Sequence, residues 1–599
     1  MAGFHKVIGI DLGTTYSAVA AYNFDKQDVQ IIPNRQGERT TPSAVYISKQ
    51  KQVSVGRAAK EKLARDPDGV IIEVKRKMGE MTKAGRKEMV KAAGQEFDPE
   101  FISAHILKEL KASAERMIGE PVHDAVITVP AYFRESQKNA TREAAKLARL
   151  NPRLIMNEPT AAAVAYGLES GERQTFVVYD LGGGTFDVSV VRVEDERTAV
   201  VLGTGGNARL GGGDIDDLIV KWALEQMKKQ LGQDFSSDAR LVGRLRLQAE
   251  KVKINLCNES QPQEFALESP TQEIEEISYT LTPAEFDVMC RGLLDKTMVE
   301  VDVAINSAKS QHGLQLDDID AFILVGGSSR IPAVARVLAE RYRKQIKSNL
   351  NPDEIVAMGA ARMALNYDPS LAADVLDTGE LKIDASAAVP EHIASTNIKD
   401  VVSHTLGIGL VDDVYDPLIT KDHVIPHKVV RGGYTTARDN QTSIFVPVYQ
   451  GDNPKAAENT PLGKVVIEGL AAEPKGTHQF QITFALDADG IFAGEILHVQ
   501  KGTITAIKLD RGDGKLTEKK RLDLAEMVHT GVIVAAPPPD PMSRLILSAH
   551  EMLQSLPPDR QRELLDVLAK VAEARARDNK EALAAAMSKL TLIVMRDKS

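Results

Sequence analysis

The feature that most constrains this chain is an internal repeat in its first 365 residues. The sequence IGIDLGTT at residues 8–15 is echoed by VYDLGGGT at residues 178–185. Two more pairs follow in the same order, namely residues 126–131 with 323–328 and residues 163–167 with 355–359. Three matched elements in one order predict two similar lobes that face each other, with the paired loops meeting in a cleft.

Strand and helix signals alternate through this region, which predicts an α/β fold. Short apolar runs rich in β-branched residues predict buried strands at Val7–Asp11, 177–180 and Ala321–Val325. Residues 136–150 and 331–344 have helical patterns. The glycine-rich residues 203–208 loosely match a dinucleotide fingerprint, but no helix follows them at once, so a turn is predicted there.

The rest of the chain predicts further domains, because 599 residues are too many for one hydrophobic core. The α/β domain is predicted to span residues 1–365, and the Pro- and Gly-containing residues 366–400 indicate a linker with an insert. Short strand signals separated by turns predict an all-β module at residues 401–514. Residues 515–599 end in helical spacing and predict a short helical unit.

Each DLG segment contains the residues that a phosphate-binding hairpin needs. Glycine permits a tight turn whose backbone N–H groups approach phosphate oxygens closely. Threonine hydroxyls add donors, and a carboxylate at the turn can hold Mg²⁺ directly or through waters. The first hairpin supplies Asp11, Gly13, Thr14 and Thr15, and the second supplies Asp180, Gly182, Gly183, Gly184, Thr185 and Asp187. One hairpin alone would indicate an ordinary turn, but two matched copies predict a clamp on a triphosphate and its metal.

Composition narrows the class of protein. The net charge of −10 argues against a general nucleic-acid surface. Cys257 and Cys290 are too few for a disulfide framework or a Cys/His metal cluster, which fits a reducing compartment. The N-terminus has no secretion-signal pattern, and no apolar run is long enough to span a bilayer, so a cytoplasmic location and no membrane partner are expected. No P-loop motif occurs.

The signature segments together resemble those of the seventy-kilodalton heat-shock (DnaK-type) chaperone family. They are residues 8–15, 129–133, 157–163, 180–187, 210–212 and 325–332. The resemblance extends to about residue 490 and implies an actin-like ATPase domain with duplicated, ribonuclease-H-like lobes, an all-β sandwich and a short α-helical C-terminal unit. It implies a divergent bacterial ATP-dependent chaperone with slow basal hydrolysis, in which ATP hydrolysis controls the affinity for extended apolar segments of unfolded proteins.

The same resemblance assigns roles to matching positions. Lys75, Glu158, Asp187 and Thr185 would act in catalysis, with Lys75 and Glu158 close to the γ-phosphate and the attacking water. Asp11 and Asp180 would hold Mg²⁺ through waters. The nucleotide would contact Asp11, Gly13, Thr14, Thr15, Tyr16, Asp180, Gly182, Gly183, Gly184, Glu250, Lys253, Gly326, Gly327, Ser328, Arg330 and Asp353. Leu406 and Ile408 fall where the family contacts peptide.

The resemblance also implies cofactors and partners. It implies ATP or ADP with Mg²⁺, allows K⁺ as a further ion, and suggests a J-domain co-chaperone and a nucleotide exchange factor; no nucleic-acid partner is expected. Two departures limit what it carries over. Residues 395–400 are mostly polar where the family has a leucine-rich linker, and Leu154 stands where the family usually has arginine. These two departures leave open the alternatives of weak interdomain coupling and of J-domain docking unlike that of the family.

Two other functions stay open on the sequence. A small-molecule kinase of the actin-like fold would use similar phosphate hairpins, but it would give no reason for the β module. A nucleotide-sensing scaffold or holdase with weak coupling between its domains would suit the polar linker. Only the response of ATP hydrolysis to peptide separates this second alternative from the chaperone.

Overall fold

A computed structural model describes residues 3–82, 87–167, 173–194, 198–259, 261–268, 276–347, 350–367, 397–487, 490–507, 518–531, 545, 557–576 and 580–596. The chain divides into two compact units, Met1–Val532 and Ile533–Ser599. Most of the predicted linker at 366–400 lies outside the described residues, as do residues 508–517 between the β module and the next helix.

The first unit contains every strand that the described residues form. Those of its first part are β1 (Val7–Asp11), β2 (Tyr16–Asn23), β3 (Asp28–Ile31), β4 (Thr41–Pro42), β5 (Val45–Ile47), β6 (Val53–Val55), β7 (Val70–Ile71), β8 (Val90–Ala92), β9 (Gln95–Phe97), β10 (Asp124–Val129), β11 (Asn151–Asn157), β12 (Gln174–Leu181), β13 (Phe186–Val193), β14 (Thr198–Asn207), β15 (Gln263–Glu268), β16 (Glu276–Leu281), β17 (Ala321–Val325) and β18 (Gln345–Lys347). Those of its second part are β19 (Asn397–Lys399), β20 (Leu406–Gly409), β21 (Tyr415–Ile419), β22 (His427–Thr435), β23 (Ser443–Gln450), β24 (Thr460–Glu468), β25 (Gln479–Leu486), β26 (Phe492–His498) and β27 (Thr503–Ile507).

The α-helices are numbered along the chain in the same way. They are α1 (Arg57–Lys60), α2 (Pro99–Ile118), α3 (Glu135–Leu147), α4 (Glu158–Gly167), α5 (Gly212–Leu231), α6 (Ala239–Asn258), α7 (Pro283–His312), α8 (Pro332–Tyr342), α9 (Ile355–Ala364), α10 (Glu518–Thr530), α11 (Pro558–Ala576) and α12 (Lys580–Arg596). The strands and helices predicted in the repeat are confirmed, with boundaries that differ by a few residues.

The internal repeat is visible in two sheets with the same strand order. The first sheet runs β11-β10-β1-β2-β3, and the second runs β18-β17-β12-β13-β14. In each sheet the central strand, β1 or β12, is parallel to the strand on one side and antiparallel to the strand on the other. The repeat in sequence therefore corresponds to a repeat in strand order, because matched apolar runs and turns build matched strands.

Helices α4 and α9 are the third matched pair of the repeat, and they pack tightly on each other and on the sheets. A Cβ atom added to Gly359 would lie 1.8 Å from the carbonyl oxygen of Ala161, and one added to Gly9 would lie 2.1 Å from the backbone nitrogen of Ala361. Real Cβ atoms do not come so close to a backbone, so both positions need glycine. Alanines and valines fill the rest of this buried layer.

The turn predicted at residues 203–208 is wrong. Residues 203–207 belong to β14, and Cβ atoms at Gly203 and Gly205 would lie 2.5 Å from carbonyl oxygens of Ala304 and Glu300 in α7. The glycines let a helix backbone pack against the strand. Their role is close packing and not a change of chain direction.

The polar linker ends in a strand. In β19, residues 397–399 pair in parallel with Thr198, Ala199 and Val200 of β14 and extend the second sheet by one strand. Asp400 follows and accepts hydrogen bonds from Asn157 Nδ2 at 2.8 Å and Thr160 Oγ1 at 3.4 Å. Backbone pairing does not require leucine side chains, so this linker joins the sheet despite its composition.

The β module consists of two four-stranded antiparallel sheets, β21-β20-β23-β24 and β22-β25-β26-β27, around one apolar core. Helix α10 lies against α2 and α3 of the α/β part of the chain. In the second unit, α11 and α12 bury Leu564, Val567 and Leu590 between them, as the helical spacing predicts.

Candidate functional site

The two predicted hairpins meet face to face. Asp11 ends β1, and Asp180 is the penultimate residue of β12, so both carboxylates lie at the carboxyl ends of central strands. A Cβ atom added to Gly183 would lie 1.9 Å from Oγ1 of Thr15. Any larger residue at Gly183 would push the hairpins apart.

Four carboxylates surround one lysine beside these hairpins. Lys75, in the 3₁₀ helix Val74–Lys77, forms a buried ion pair with Glu158 at the start of α4. Burial, followed by the charge of Glu158, raises the pKa of Asp11 to about 7 and the pKa of Asp180 well above its usual range. The same two causes raise the pKa of Asp187 to about 8. A cation bound beside these carboxyl groups would favour their ionised forms and lower their pKa values.

The donor set fits Mg²⁺, which prefers carboxylate oxygen and keeps several of its waters. Among the residues that the structure describes, no group of three or more His, Cys, Asp and Glu side chains is close enough to hold a metal ion by itself. The arrangement therefore suits an ion held through waters and phosphate oxygens more than one enclosed by protein ligands.

Residues predicted to bind adenosine lie next to the hairpins. Glu250 accepts a hydrogen bond from the Tyr16 hydroxyl at 3.1 Å and pairs with Lys60. Lys253 Nζ donates to Asp216 Oδ2 at 2.8 Å and to the carbonyl oxygen of Gly212 at 3.0 Å. One cavity is lined by members of both groups, including Thr14, Thr15, Lys60, Asp216 and Glu250.

The turn after β17 closes the site from the other side. A Cβ atom added to Gly326 would lie 2.6 Å from Oδ1 of Asp180, and one added to Gly327 would lie 2.7 Å from Oδ1 of Asp353. Ser328 Oγ lies 2.2 Å from the Cβ position of Gly212. Arg330 Nη2 donates to Asp353 Oδ2 at 3.0 Å. The structure therefore brings the predicted hairpin, adenosine and β17-turn residues into one region.

Sequence reasoning missed three charged residues here. Lys60 pairs with Glu250, Asp216 pairs with Lys253, and Arg76 donates through Nε to the carbonyl oxygen of Gly184 at 3.0 Å. None belongs to a recognisable chemical motif, although Arg76 follows Lys75 directly. Their partners are distant in sequence, so only the fold reveals the pairs.

A turn at residues 130–133 connects this site with the β module. The backbone nitrogen of Tyr132 donates to Asp187 Oδ1 at 2.9 Å. The carbonyl oxygen of the same residue is 3.0 Å from Nε2 of His404, and the Ser403 hydroxyl donates to the carbonyl oxygen of Ala131. A carboxylate of the cleft and the first residues of the β module thus hold the same short turn.

The two predicted peptide contacts lie inside the β module. Leu406 and Ile408, on β20, are buried in the apolar core between the sheets. Leu406 also lines a cavity shared with Phe133 and Lys138 of the α/β part of the chain. Contact of either side chain with peptide stays a prediction.

Comparison with known proteins decides the family. The model of the family described as "Hsp70 protein" matches residues 7–581. The chain belongs to the Hsp70 family. The "Chaperone protein DnaK" of Thermosipho melanesiensis is 40% identical over 489 residues, which are 81% of this chain and 77% of that protein. The protein of the same name from Thermotoga maritima is 39% identical over 491 residues, 81% of this chain and 77% of that protein.

Membership in the Hsp70 family establishes the general activity. The chain is an ATP-dependent chaperone that hydrolyses ATP, binds ATP or ADP with Mg²⁺, and acts on unfolded peptide with co-chaperones. The actin-like lobes, β sandwich and helical region that the family implies agree with the mixed sheets and helices observed. Within the described residues, no helix is long and apolar enough to cross a membrane.

Proposed function

We propose that the cleft between the two sheets hydrolyses ATP with the residues predicted from sequence, and that this hydrolysis controls peptide affinity in the β module. The ATPase domain is assigned to residues 1–365, the linker to 366–400, the β module to 401–514 and the helical region to 515–599. Nucleotide phosphates are assigned to the two hairpins and adenosine to Glu250, Lys253, Arg330 and their neighbours.

Catalysis in this proposal is mainly positioning and charge neutralisation, as phosphoryl transfer requires. Bound Mg²⁺ supplies positive charge to the phosphate oxygens. Glu158 and Asp187 orient the attacking water, while Lys75 holds Glu158 in place and faces the γ-phosphate. Thr185, buried at the end of the second hairpin, donates its hydroxyl to a phosphate oxygen. Asp11 and Asp180 would hold the ion through its waters.

The observation that carries the coupling is the turn at residues 130–133. Asp187 in the cleft holds one side of the Tyr132 backbone and His404 of the β module holds the other. If Asp187 shifts after the γ-phosphate leaves, the backbone of Tyr132 would shift with it, and its hydrogen bond to His404 would change as well. The linker adds a second connection, because Asp400 binds Asn157, the residue before Glu158. These contacts favour a coupled chaperone over a scaffold with independent domains.

The test is single-turnover ATP hydrolysis with and without an apolar heptapeptide. We expect peptide to accelerate hydrolysis severalfold, and Thr185→Ala to lower the rate about a hundredfold with or without peptide. Asp400→Asn keeps the side-chain shape but removes the charge that strengthens the bonds to Asn157 and Thr160. It should retain basal hydrolysis and lose most of the acceleration.

The outcomes separate the alternatives. Hydrolysis that depends on Thr185 but ignores peptide would keep the ATPase assignment and favour a holdase or sensor. Hydrolysis unaffected by Thr185→Ala would contradict the site assignment. Measurements in NaCl and in KCl test whether K⁺ takes part.

A further inference from the structure

Arg76 lies beside the lysine assigned to catalysis and extends in another direction. Lys75 reaches Glu158, at the start of α4, whereas Arg76 reaches the second phosphate hairpin and the start of α5. Its Nε donates to the carbonyl oxygen of Gly184 at 3.0 Å, and its Nη2 donates to Asp214 Oδ2 at 2.7 Å. Two consecutive residues of one 3₁₀ helix therefore contact both sides of the cleft.

The surroundings of Arg76 hold this geometry in place. Arg76 is 17% exposed in its side chain, so its ion pair is only partly screened by solvent. Asp214 also accepts from the backbone nitrogen of Gly211 at 2.7 Å and so caps α5. Glu73, which precedes the 3₁₀ helix, has a φ of 55° and accepts from Arg76 Nη1 at 3.3 Å. A residue other than glycine keeps a left-handed backbone conformation only where its surroundings hold it there.

Arg76 connects the two sides of the cleft next to Lys75, the lysine assigned to catalysis. Arg39 also forms an ion pair with a residue distant in sequence, Glu354, but Arg39 is 61% exposed and its partner precedes α9, which packs on the first sheet. Opening of the cleft must break the contacts of Arg76 with Gly184 and Asp214. The 3₁₀ helix carrying Lys75 then loses its attachment to the phosphate hairpin.

We infer that Arg76 is a positioning residue that makes the placement of Lys75 depend on closure of the cleft. ATP is then hydrolysed only while the second hairpin is docked on Arg76, and the same contacts slow the release of ADP. This inference rests on the proposed role of Lys75. It assigns no contact between Arg76 and the nucleotide.

The test measures two rates in the full chain: single-turnover hydrolysis at saturating ATP and dissociation of a fluorescent ADP. For Arg76→Gln we expect hydrolysis about a hundredfold slower, because small displacements of a catalytic group have effects of that size. We also expect ADP to dissociate about tenfold faster. ADP has no γ-phosphate, so a residue that acted only by binding the γ-phosphate would not change ADP dissociation. Faster dissociation from Arg76→Gln would therefore indicate that Arg76 holds the cleft closed.

A conservative variant separates the two contacts. Arg76→Lys keeps a cation near Asp214 but loses the planar donor to Gly184. It should restore slow ADP dissociation while hydrolysis stays at least tenfold below that of the unmodified chain. A purely structural role would not split the rates in this way.

Two matched controls complete the experiment. Arg39→Gln removes another ion pair between residues distant in sequence, one that lies beside the first sheet, and should leave hydrolysis within about twofold. Arg336→Gln removes a 2.6 Å surface pair with Asp287 and should change neither rate. The inference is overturned if Arg76→Gln hydrolyses saturating ATP at the normal rate, or if Arg39→Gln slows hydrolysis equally. Lys75→Met separates the proposed function from this inference. Normal hydrolysis in Lys75→Met would contradict the catalytic role of Lys75 itself. Loss of hydrolysis in Lys75→Met together with normal hydrolysis in Arg76→Gln would contradict only the positioning role of Arg76.

Discussion

Gly183 shows how one missing side chain sets the width of the cleft. Alanine at this position would place its Cβ 1.9 Å from Thr15 Oγ1. We expect Gly183→Ala to separate the hairpins and lower single-turnover hydrolysis about a hundredfold, since the phosphate contacts would be misplaced. The measurement is hydrolysis at saturating ATP.

The control for this prediction is Gly292→Ala. Gly292 lies inside α7, and apart from its chain neighbours and the backbone of its own helix no described atom lies within 4 Å of its Cβ position. Alanine there should preserve hydrolysis and raise the free energy of unfolding by up to about 1 kcal/mol. A Gly183→Ala variant with normal hydrolysis would mean that the hairpins do not need to touch.

Some residues of the site could be predicted from the local sequence, and others could not. Asp11, Asp180 and the hairpin glycines were predictable because their spacing within one turn already determines the backbone they form. Lys60 and Asp216 were missed because a charged residue on a helix is usually solvated. Their pairing with Glu250 and Lys253 depends on α1 and α5 each meeting α6 in the folded chain.

At the scale of elements, ion pairs and charged hydrogen bonds connect α10 to the ATPase half. Arg521 pairs with Glu143 at 3.0 Å, and Glu526 pairs with Arg149 at 2.8 Å. Lys108 in α2 donates to the carbonyl oxygens of Val528 and His529 at 2.9 and 2.8 Å. These carbonyl groups end the helix and have no partner within it, so a cation there is favourable.

Lys108→Met should therefore loosen α10 without unfolding α2. Loss of a bond to a charged donor costs about 1–2 kcal/mol, so amide hydrogen exchange in residues 518–530 should accelerate about tenfold. Raising KCl should accelerate exchange in the unmodified chain as well, because exposed ion pairs are screened. Lys6→Met, which removes the surface pair with Glu120, is the control. Equal exchange in both variants would contradict a role for Lys108.

The errors of prediction at this scale have a common cause. The glycines of β14 suggested a turn, but they make room for α7. The polar residues before Asp400 gave no strand signal, yet β19 forms because β14 offers an unpaired edge. An apolar pattern predicts which side chains a segment buries, but it does not predict which other segment packs or pairs with it. The sequence of β14 alone does not indicate α7, and the sequence of β19 alone does not indicate β14. The two main sheets were predictable because their strands are buried apolar runs.

At the scale of the whole molecule, the contact between the ATPase half and the β module includes an ionisable ring. The imidazole of His404 lies 4.2 Å from the ring of Tyr132, with the planes at 72°. Its Nε2 faces a carbonyl oxygen, so this nitrogen carries the proton and donates. The charged groups around it are Lys421, Asp452 and Arg134, and burial lowers the pKa of His404 to about 4.

This contact should make docking of the β module sensitive to pH. A histidine released from the contact regains a pKa of about 6.5, so the undocked state binds a proton more readily. The contribution of His404 to docking is therefore complete above about pH 6.5 and is lost as pH falls from there towards 4. At pH 5.5 the docked population should fall about tenfold relative to the undocked one. Energy transfer between a label on the ATPase half and one on the β module measures this ratio.

Two variants isolate the effect of His404. His404→Gln retains a donor for the carbonyl oxygen of Tyr132 but does not titrate, so its docking should be nearly constant between pH 7.5 and 5.5. His312→Gln, at the end of α7, removes an exposed histidine outside the interface and should behave like the unmodified chain. Because Tyr132 also binds Asp187, acid should weaken the acceleration of hydrolysis by peptide in parallel with docking. If docking of His404→Gln still responds to pH, the response belongs to other titratable groups. If peptide still accelerates hydrolysis at a pH where docking is lost, the turn at residues 130–133 does not transmit the coupling.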